Sequence, residues 1–183
     1  MLYPTLANTT NDLQQILQLQ KQNLAGHIDE SEMKTQGFVT LRHSLKELEQ
    51  MNNLAPSVII KDDSKVVGYA LTMLKECKQI IPDLEAMFRL FDSLTWSDKL
   101  LNNYSFYVMG QVCIHKDYRG KGLFEQLYFH HKKIYSSKFE LFLTEIATRN
   151  HRSLRAHEKV GFKTIHIHRD NLDEWAVVGW DWS

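Results

Sequence analysis

The sequence predicts a mixed α/β fold in which a β-sheet carries helices on both of its faces. Three observations lead to this prediction. The amino-terminal part has two capped amphipathic helices, the middle has a pair of β-rich runs, and a long apolar strand further on is followed by a glycine turn and another helix. The 183 residues suffice for one substantial core, so we expect residues 1–183 to form a single domain.

The first elements are a short strand over residues 2–7 and two helices. Each helix start is marked by a capping box, in which Ser or Thr precedes an acidic residue by three positions. The two boxes are Thr9 with Asp12 and Ser44 with Glu47. Gly26 is the expected end of the first helix, and the pattern of residues 27–43 predicts no element.

The rest of the chain alternates strands and helices. In order, we expect a hairpin over 57–74, a helix from Pro82, a turn at Asn102 and Asn103, a long strand over 104–115, a helix after the glycine turn, a strand over 141–147, a helix over 150–160 closed by Gly161, and two strands ending at Trp182. Gly110, inside the long strand, predicts a bulge or a close backbone approach.

Charge and composition exclude several classes of function. Lys plus Arg equals Asp plus Glu at 22 each, so no overall field attracts nucleic acid or an anionic membrane. The amino terminus has no signal-peptide pattern and no run approaches the ~20 apolar residues of a membrane span, which predicts a cytoplasmic protein. The two cysteines, Cys77 and Cys113, form no CxxC pattern, so neither a disulfide framework nor a zinc knuckle is expected.

The turn YRGKG at 118–122 joins the long strand to the next helix. Glycines let the backbone bend so that several N–H groups converge, the helix start adds positive potential, and Arg119 and Lys121 add full charges. This combination predicts a pyrophosphate site. The alternative is a surface turn that uses glycine only for its backbone freedom, and the turn alone does not decide between the two. The Walker A and dinucleotide-binding patterns are both absent.

Two stretches in the same order resemble the GNAT superfamily of acyl-CoA-dependent N-acetyltransferases. The turn is similar to the family's Q/R-x-x-G-x-G/A loop, with Arg119 first, Gly122 fourth and Phe124 in place of the final small residue. NHRS at 150–153, followed by HEKVGF at 157–162, is similar to a second family segment, in which His157 stands where tyrosine is frequent. The resemblance covers most of the chain and is sharpest over residues 108–162.

The resemblance implies a mostly antiparallel central sheet with a splay between its central strands, and acetyl-CoA as the acyl donor. It also implies three groups of cofactor-binding residues: a strand that pairs with the pantetheine arm, the turn with the helix start, and two positions of the second segment. These are Val112, Cys113 and Ile114; Arg119, Gly120, Lys121, Gly122, Leu123 and Phe124; and Asn150 and Ser153.

The function expected from this is acetyl transfer from acetyl-CoA to a primary amine by direct attack. Such a reaction needs an uncharged amine, a polarised carbonyl and a proton for the thiolate. Backbone N–H groups beside Gly110 could polarise the carbonyl. Glu145, near the end of its strand, is the first candidate for the base. The alternatives are that it is a carboxylate at the solvent-facing end of the strand and that a water chain removes the proton. His157 is either an acid–base group or a residue that caps or packs its helix.

A different class of function also fits, namely a non-catalytic acyl-CoA-binding or sensing module on the same fold. The lack of net charge disfavours a third class, the nucleic-acid-binding modules. The acceptor remains open between small metabolite, antibiotic amine, polyamine and protein amino group, because its pocket would come from segments without a recognisable pattern.

Other features receive simpler interpretations. His166 and His168 alternate on one strand but lack a third ligand, so no metal site is expected. The run HHKK at 130–133 is interpreted as a solvated helix face. Cys113 is interpreted as a small buried hydrophobic residue. The carboxy-terminal tryptophans are expected to pack in the core or in a homodimer, with substrate stacking as the alternative; they are Trp175, Trp180 and Trp182.

Overall fold

Seven strands form one sheet in the computed structural model of the protein, which describes residues 1–24, 39 and 41–183. In chain order they are β1 (Leu2–Leu6), β2 (Val58–Asp62), β3 (Lys65–Met73), β6 (Phe106–Ile114), β7 (Leu141–Ala147), β8 (Lys163–Arg169) and β9 (Glu174–Asp181). Their spatial order is β1-β2-β3-β6-β7-β9-β8. Every neighbouring pair is antiparallel except β6 and β7. The predicted mostly antiparallel sheet is therefore confirmed.

Five α-helices in the described part of the chain accompany the sheet. They are α1 (Thr10–Asn23), α2 (Leu45–Leu54), α3 (Glu85–Ser93), α4 (Leu123–Tyr135) and α5 (His151–Val160). Both capping boxes form as predicted at the starts of α1 and α2. α1 ends at Asn23, whereas the expected end at Gly26 lies outside the described residues. Among the described residues, no helix combines the length and apolar character needed to span a bilayer.

The segment between β3 and β6 departs from the prediction in detail. Pro82 opens a short 3₁₀ turn, Pro82–Leu84, before the α-helix begins. A small hairpin that the sequence did not predict follows, formed by β4 (Thr95–Trp96) and β5 (Lys99–Leu100). Its two turn residues, Ser97 and Asp98, both have positive φ angles, which match the twist of a tight hairpin.

The sheet separates two apolar cores, as expected for helices on both faces. Side chains alternate between the faces along each central strand. On β3, for example, Tyr69 and Leu71 pack in the core beneath α1, α2 and α3, whereas Ala70 packs in the core beneath α4 and α5. Helices α4 and α5 thus lie on one face of the sheet, and α1, α2 and α3 lie on the other.

The interpretation of residues 130–133 as a solvated face is wrong for His131. This side chain is fully buried, since it follows Leu127 and precedes Tyr135 on the core-facing stripe of α4. Its Nε2–H donates to the carbonyl of Ala70 at 3.1 Å, and its Nδ1 accepts from the Tyr107 hydroxyl at 3.0 Å. The two hydrogen bonds explain how a histidine can occupy a core position.

The central strands separate after three paired residues. β6 pairs with β7 only from Phe106 to Val108, and beyond that point the strands diverge. The register of β6 against β3 shifts between Met109 and Val112, which confirms the irregularity predicted at Gly110. A Cβ at Gly110 would stand 2.5 Å from the Cε of Met73, so a larger residue here would require the flexible end of that methionine to move. The splay leaves one edge of β6 without a neighbouring strand.

Candidate functional site

A cleft of about 390 Å³, here called the main cleft, opens beside the unpaired edge of β6. The predicted cofactor-binding residues line it together, with one exception. They are Val112, Cys113, Ile114, Arg119, Gly120, Gly122, Leu123, Phe124, Asn150 and Ser153. The exception is Lys121, which does not line the cleft and whose ammonium stands over the ring of Tyr118 at 4.8 Å from its centroid. Cofactor contact by these residues remains a prediction.

The glycine turn is open toward the main cleft. Gly120 and Gly122 have φ angles of 75° and 70°, and a Cβ at either position would meet nothing within 4 Å. Gly122 caps α4 without any side-chain hydrogen bond, so the first backbone N–H groups of the helix lack an intrahelical or capping acceptor. Backbone N–H groups at a helix start beside free space are suited to bind a phosphate group.

Arg119 fixes the turn to its surroundings. Its Nε donates to the carbonyl of Ile114 at 3.1 Å, and its Nη2 donates to Oδ1 of Asn23 at 2.6 Å. Asn23 is the last residue of α1 and itself lines the main cleft. The guanidinium thus ties the turn to both β6 and α1 while keeping a positive charge at the cleft.

A second group of cations, on α5, also lines the main cleft. We call Arg152, Arg155 and Lys159 the basic wall; they follow one another on α5 at spacings of three and four and share one helix face. Burial, and then repulsion from Arg119, lower the pKa of Arg152. Like charges held this close suit a polyanionic ligand. The spacing was readable in the sequence, but the direction of the helix face was not.

A smaller pocket of about 90 Å³, here called the inner pocket, lies at the splay. It shares four lining residues with the main cleft, namely Val39, Val112, Asn150 and Ser153. Its other walls include the β6 bulge at Gly110 and Gln111, the side chain of Glu145 on β7, and Trp175. The two cavities therefore adjoin each other along β6.

Glu145 forms a hydrogen-bonded pair with His168 at the inner pocket. Its Oε1 accepts a hydrogen bond from Nε2 of His168 at 2.7 Å, and its side chain is 16% exposed. Burial raises the pKa of Glu145, and the hydrogen bond from His168 partly offsets this effect. A carboxylate with a raised pKa is a better proton acceptor than an exposed one.

His157 is buried, with 1% of its surface exposed, and both ring nitrogens are hydrogen-bonded within the protein. A carbonyl oxygen only accepts, so Nδ1–H donates to the carbonyl of Ser153 at 2.8 Å, and Nε2 accepts from the Tyr128 hydroxyl at 2.5 Å. Burial lowers its pKa to about 4, so the ring is neutral at pH 7. These contacts favour the packing interpretation of His157, although the residue also borders the inner pocket.

Gln111 is a buried polar residue that sequence reasoning missed. Its Oε1 accepts from the Tyr69 hydroxyl at 2.6 Å and from Nε2 of Gln20 at 2.8 Å, and its Nε2 donates to the carbonyl of Leu41 at 2.7 Å. These bonds tie the bulge of β6 to α1. No local pattern signals such a network, because its members are far apart in sequence.

The remaining candidates from the sequence are the Cys113 thiol, a metal site and the carboxy-terminal tryptophans. Cys113 is 7% exposed and burial raises the pKa of its thiol to about 12, as suits a small apolar residue. The described residues contain no group of three or more His, Cys, Asp or Glu side chains that could hold a metal ion. Trp180 packs against Phe129, Phe162 and Trp182, which favours a core role for this tryptophan.

Comparisons with known proteins identify the family. The model of the acetyltransferase (GNAT) family matches residues 27–162. A comparison with curated proteins gave no match. The fold resembles the ribosomal-protein-S18-alanine N-acetyltransferase from Escherichia coli, with a TM-score of 0.67 and 13% identity over 100% of this chain and 95% of that one.

Two further solved structures share the fold at similar identity. The chain resembles yncA from Salmonella typhimurium, solved with its cofactor acetyl-CoA, with a TM-score of 0.62 and 14% identity over 100% of this chain and 95% of that one. It also resembles a spermidine N-acetyltransferase chimera from Vibrio cholerae and hSSAT, with a TM-score of 0.58 and 14% identity over 99% and 95%. Since the family model covers most of its length, the chain belongs to the GNAT family of acetyltransferases, which use acetyl-CoA as the acyl donor.

Proposed function

We propose that this acetyltransferase transfers the acetyl group to a primary amine by direct attack, with Glu145 accepting a proton from the amine. One observation carries the proposal. Glu145 is the single carboxylate among the described residues that line the inner pocket, and this pocket meets the main cleft at the splay. A base at this point would lie where the acyl end of the donor and the amine meet.

The chemistry requires such a base because an alkylammonium, with a pKa near 10.4, is mostly protonated at neutral pH. Glu145 takes one proton, and the neutral nitrogen then attacks the thioester carbonyl. The C–N bond forms, the C–S bond breaks, and the nitrogen loses a second proton. One of the two protons ends on the thiolate of CoA and the other reaches solvent. The raised pKa of Glu145 supports this role.

The carbonyl needs hydrogen-bond donors as negative charge develops on its oxygen. We propose backbone N–H groups of β6 beside the Gly110 bulge for this purpose. The support is topological: β6 has no strand partner on this side beyond Val108, and Met109, Gly110 and Gln111 border the inner pocket. Backbone donors on a strand need no reorganisation during the reaction.

The acceptor enters this proposal as a class, the primary amines. The small volume of the inner pocket supports entry of the reacting end of the amine rather than of a whole large substrate. The similar structures include an enzyme named for a ribosomal-protein alanine and one named for spermidine, so this fold serves protein and polyamine acceptors alike. A cytoplasmic location, expected from the sequence, remains a prediction, and the homodimer remains one of the alternatives for packing of the carboxy-terminal tryptophans.

The test is release of free CoA thiol from acetyl-CoA in the presence of a panel of metabolite amines, antibiotic amines, polyamines and peptides with free amino groups. At least one class should yield thiol in proportion to acetylated amine. With that acceptor, Glu145→Gln should lower kcat by about 10² to 10⁴ and leave acetyl-CoA affinity nearly unchanged.

The matched control is Glu158→Gln, which removes an exposed carboxylate of α5 that lines neither cavity. It should keep kcat within a few fold. Binding of acetyl-CoA without thiol release from any amine would support the sensing module instead. Full activity of Glu145→Gln would transfer the base role to a water chain.

A further inference from the structure

His168 reaches Glu145 from the edge strand of the sheet. It lies on β8, the outermost strand, while Glu145 lies on β7, and β9 runs between them. The register sets Glu145 beside Val177 of β9 and His168 beside Trp175 of β9. The imidazole thus spans one strand to bring Nε2 within 2.7 Å of Oε1. Such a contact specifies the orientation of both side chains.

The two oxygens of the Glu145 carboxylate differ in their hydrogen bonding. Oε1 is held by His168, and among the described residues no group donates a hydrogen bond to Oε2. Both side chains are largely buried, at 16% exposure for Glu145 and 24% for His168. Oε2 is therefore the oxygen available to a proton donor in the inner pocket.

Few other charged or titratable groups surround this pair. From β8, His166 stacks its ring on that of His168, with centroids 6.2 Å apart. Asp170, just beyond β8, opposes the ionisation of Glu145. On α5, His157 borders the same pocket and is neutral, and the bordering β6 residues Met109, Gly110 and Gln111 do not titrate. Within the part of the chain that the structure describes, His168 is thus the group that favours the charged form of Glu145.

We propose that His168 is a positioning residue for acetyl transfer, which holds the Glu145 carboxylate ionised and turns its second oxygen toward the amine. This rests on the proposed function, since it requires Glu145 to be the base. Glu145 needs such a partner because burial favours the neutral carboxylic acid over the carboxylate. A neutral acid cannot accept the proton of the ammonium, so the donor bond from His168 keeps the base in its working form near neutral pH.

The test is the pH dependence of kcat/KM. For His168→Ala, the limb at which activity falls with decreasing pH should move to higher pH by about one unit, because the pKa of Glu145 rises when its donor is lost. Activity should recover toward the wild-type value at high pH. His168→Gln places an amide N–H near the position of Nε2 and should restore part of the shift. Affinity for acetyl-CoA should not change.

His166→Gln is the matched control, because it removes the neighbouring imidazole of β8, which has no hydrogen bond to Glu145 in the described structure. Its pH profile should match the wild type. A wild-type profile for His168→Ala, or an equal loss of activity at every pH, would overturn the inference.

The double variant separates this inference from the proposed function. If Glu145 is the base, Glu145→Gln abolishes most activity and adding His168→Ala has little further effect. If Glu145→Gln loses activity but His168→Ala has an unshifted pH profile, the proposed function stands and the positioning role of His168 is rejected. If Glu145→Gln keeps full activity, both the base role of Glu145 and the positioning role of His168 are rejected.

Discussion

At the scale of single residues, the two positions where the chain departs from the family pattern contact each other. The ring of Phe124, which replaces a small residue, packs edge-on against His157, which replaces a tyrosine, with centroids 5.1 Å apart. Tyr128 joins both, at 4.6 Å from Phe124 and through its hydrogen bond to His157. One substitution therefore fits the other, and the three rings brace α4 against α5.

This arrangement predicts that His157→Ala will damage the fold more than the chemistry. The variant leaves the buried hydroxyl of Tyr128 without its acceptor, which costs about 1–3 kcal/mol in the free energy of unfolding. The melting temperature should fall by several degrees. kcat should stay within a few fold of wild type, measured with the acceptor found in the amine screen.

Tyr128→Phe is the companion variant, since it removes the same hydrogen bond and keeps the imidazole. It should lower stability and leave turnover unchanged. The sequence also allowed His157 to exchange protons with the substrate. In that case His157→Ala would lower kcat by about 10² to 10⁴ at unaltered stability, and the interpretation from packing would be wrong.

At the scale of elements, the start of α4 and one face of α5 both line the main cleft. The glycine turn offers backbone donors, whereas the basic wall offers full charges. The two kinds of group complement each other, because N–H groups fix the position of a phosphate and cations strengthen its attraction. We therefore expect a negative charge at the helix start to weaken acetyl-CoA binding more than added bulk does.

Gly122→Asp and Gly122→Ala test this directly. For the wild type, acetyl-CoA at a hundredfold excess over Kd should stabilise the fold by about 2.7 kcal/mol. Aspartate would set a carboxylate against the pyrophosphate and should abolish the shift in melting temperature. Alanine carries the same strain at a φ of 70° but meets nothing within 4 Å, so it should keep most of the shift. An undiminished shift with aspartate would place the phosphates elsewhere.

At the scale of the whole molecule, three buried histidines couple stability to pH. Burial is the main cause that lowers the pKa of His43 and His157 to about 4 and that of His131 to about 3. In the unfolded chain each takes up a proton near pH 6.5. Between that value and the folded pKa the unfolded state binds more protons, so stability falls as pH decreases.

We expect the urea midpoint to fall between pH 7 and pH 5. Each histidine contributes up to about 1.4 kcal/mol per pH unit to the slope. Glu145, whose pKa is raised, opposes this with a single proton. His131→Gln should lower the slope of stability against pH by the contribution of one histidine, whatever the variant does to stability at pH 7. His151→Gln, at an exposed position, should leave the slope unchanged. A slope unaltered by His131→Gln would mean that His131 is protonated in the native state.

The features that depend on near neighbours in the chain can be predicted from the sequence alone. The capping boxes at Thr9 and Ser44 start their helices as predicted, and the strand Leu141–Ala147 has the predicted bounds. The glycine turn joins a strand to a helix start for the same reason. Capping bonds connect residues three apart, and the strand and turn signals are equally local, so no knowledge of the sheet is needed.

The contacts between residues far apart in the chain, in contrast, depend on how the whole fold packs. The pairing of Glu145 with His168 depends on the strand order β7-β9-β8, and the anchoring of Arg119 by Asn23 depends on how α1 packs beside β6. The burial of His131 and the partners of His157 likewise depend on the turn of a helix face toward the core. These contacts join residues 23 to 96 positions apart, apart from the local bond to Ser153, and packing of apolar faces rather than local preference brings such residues together.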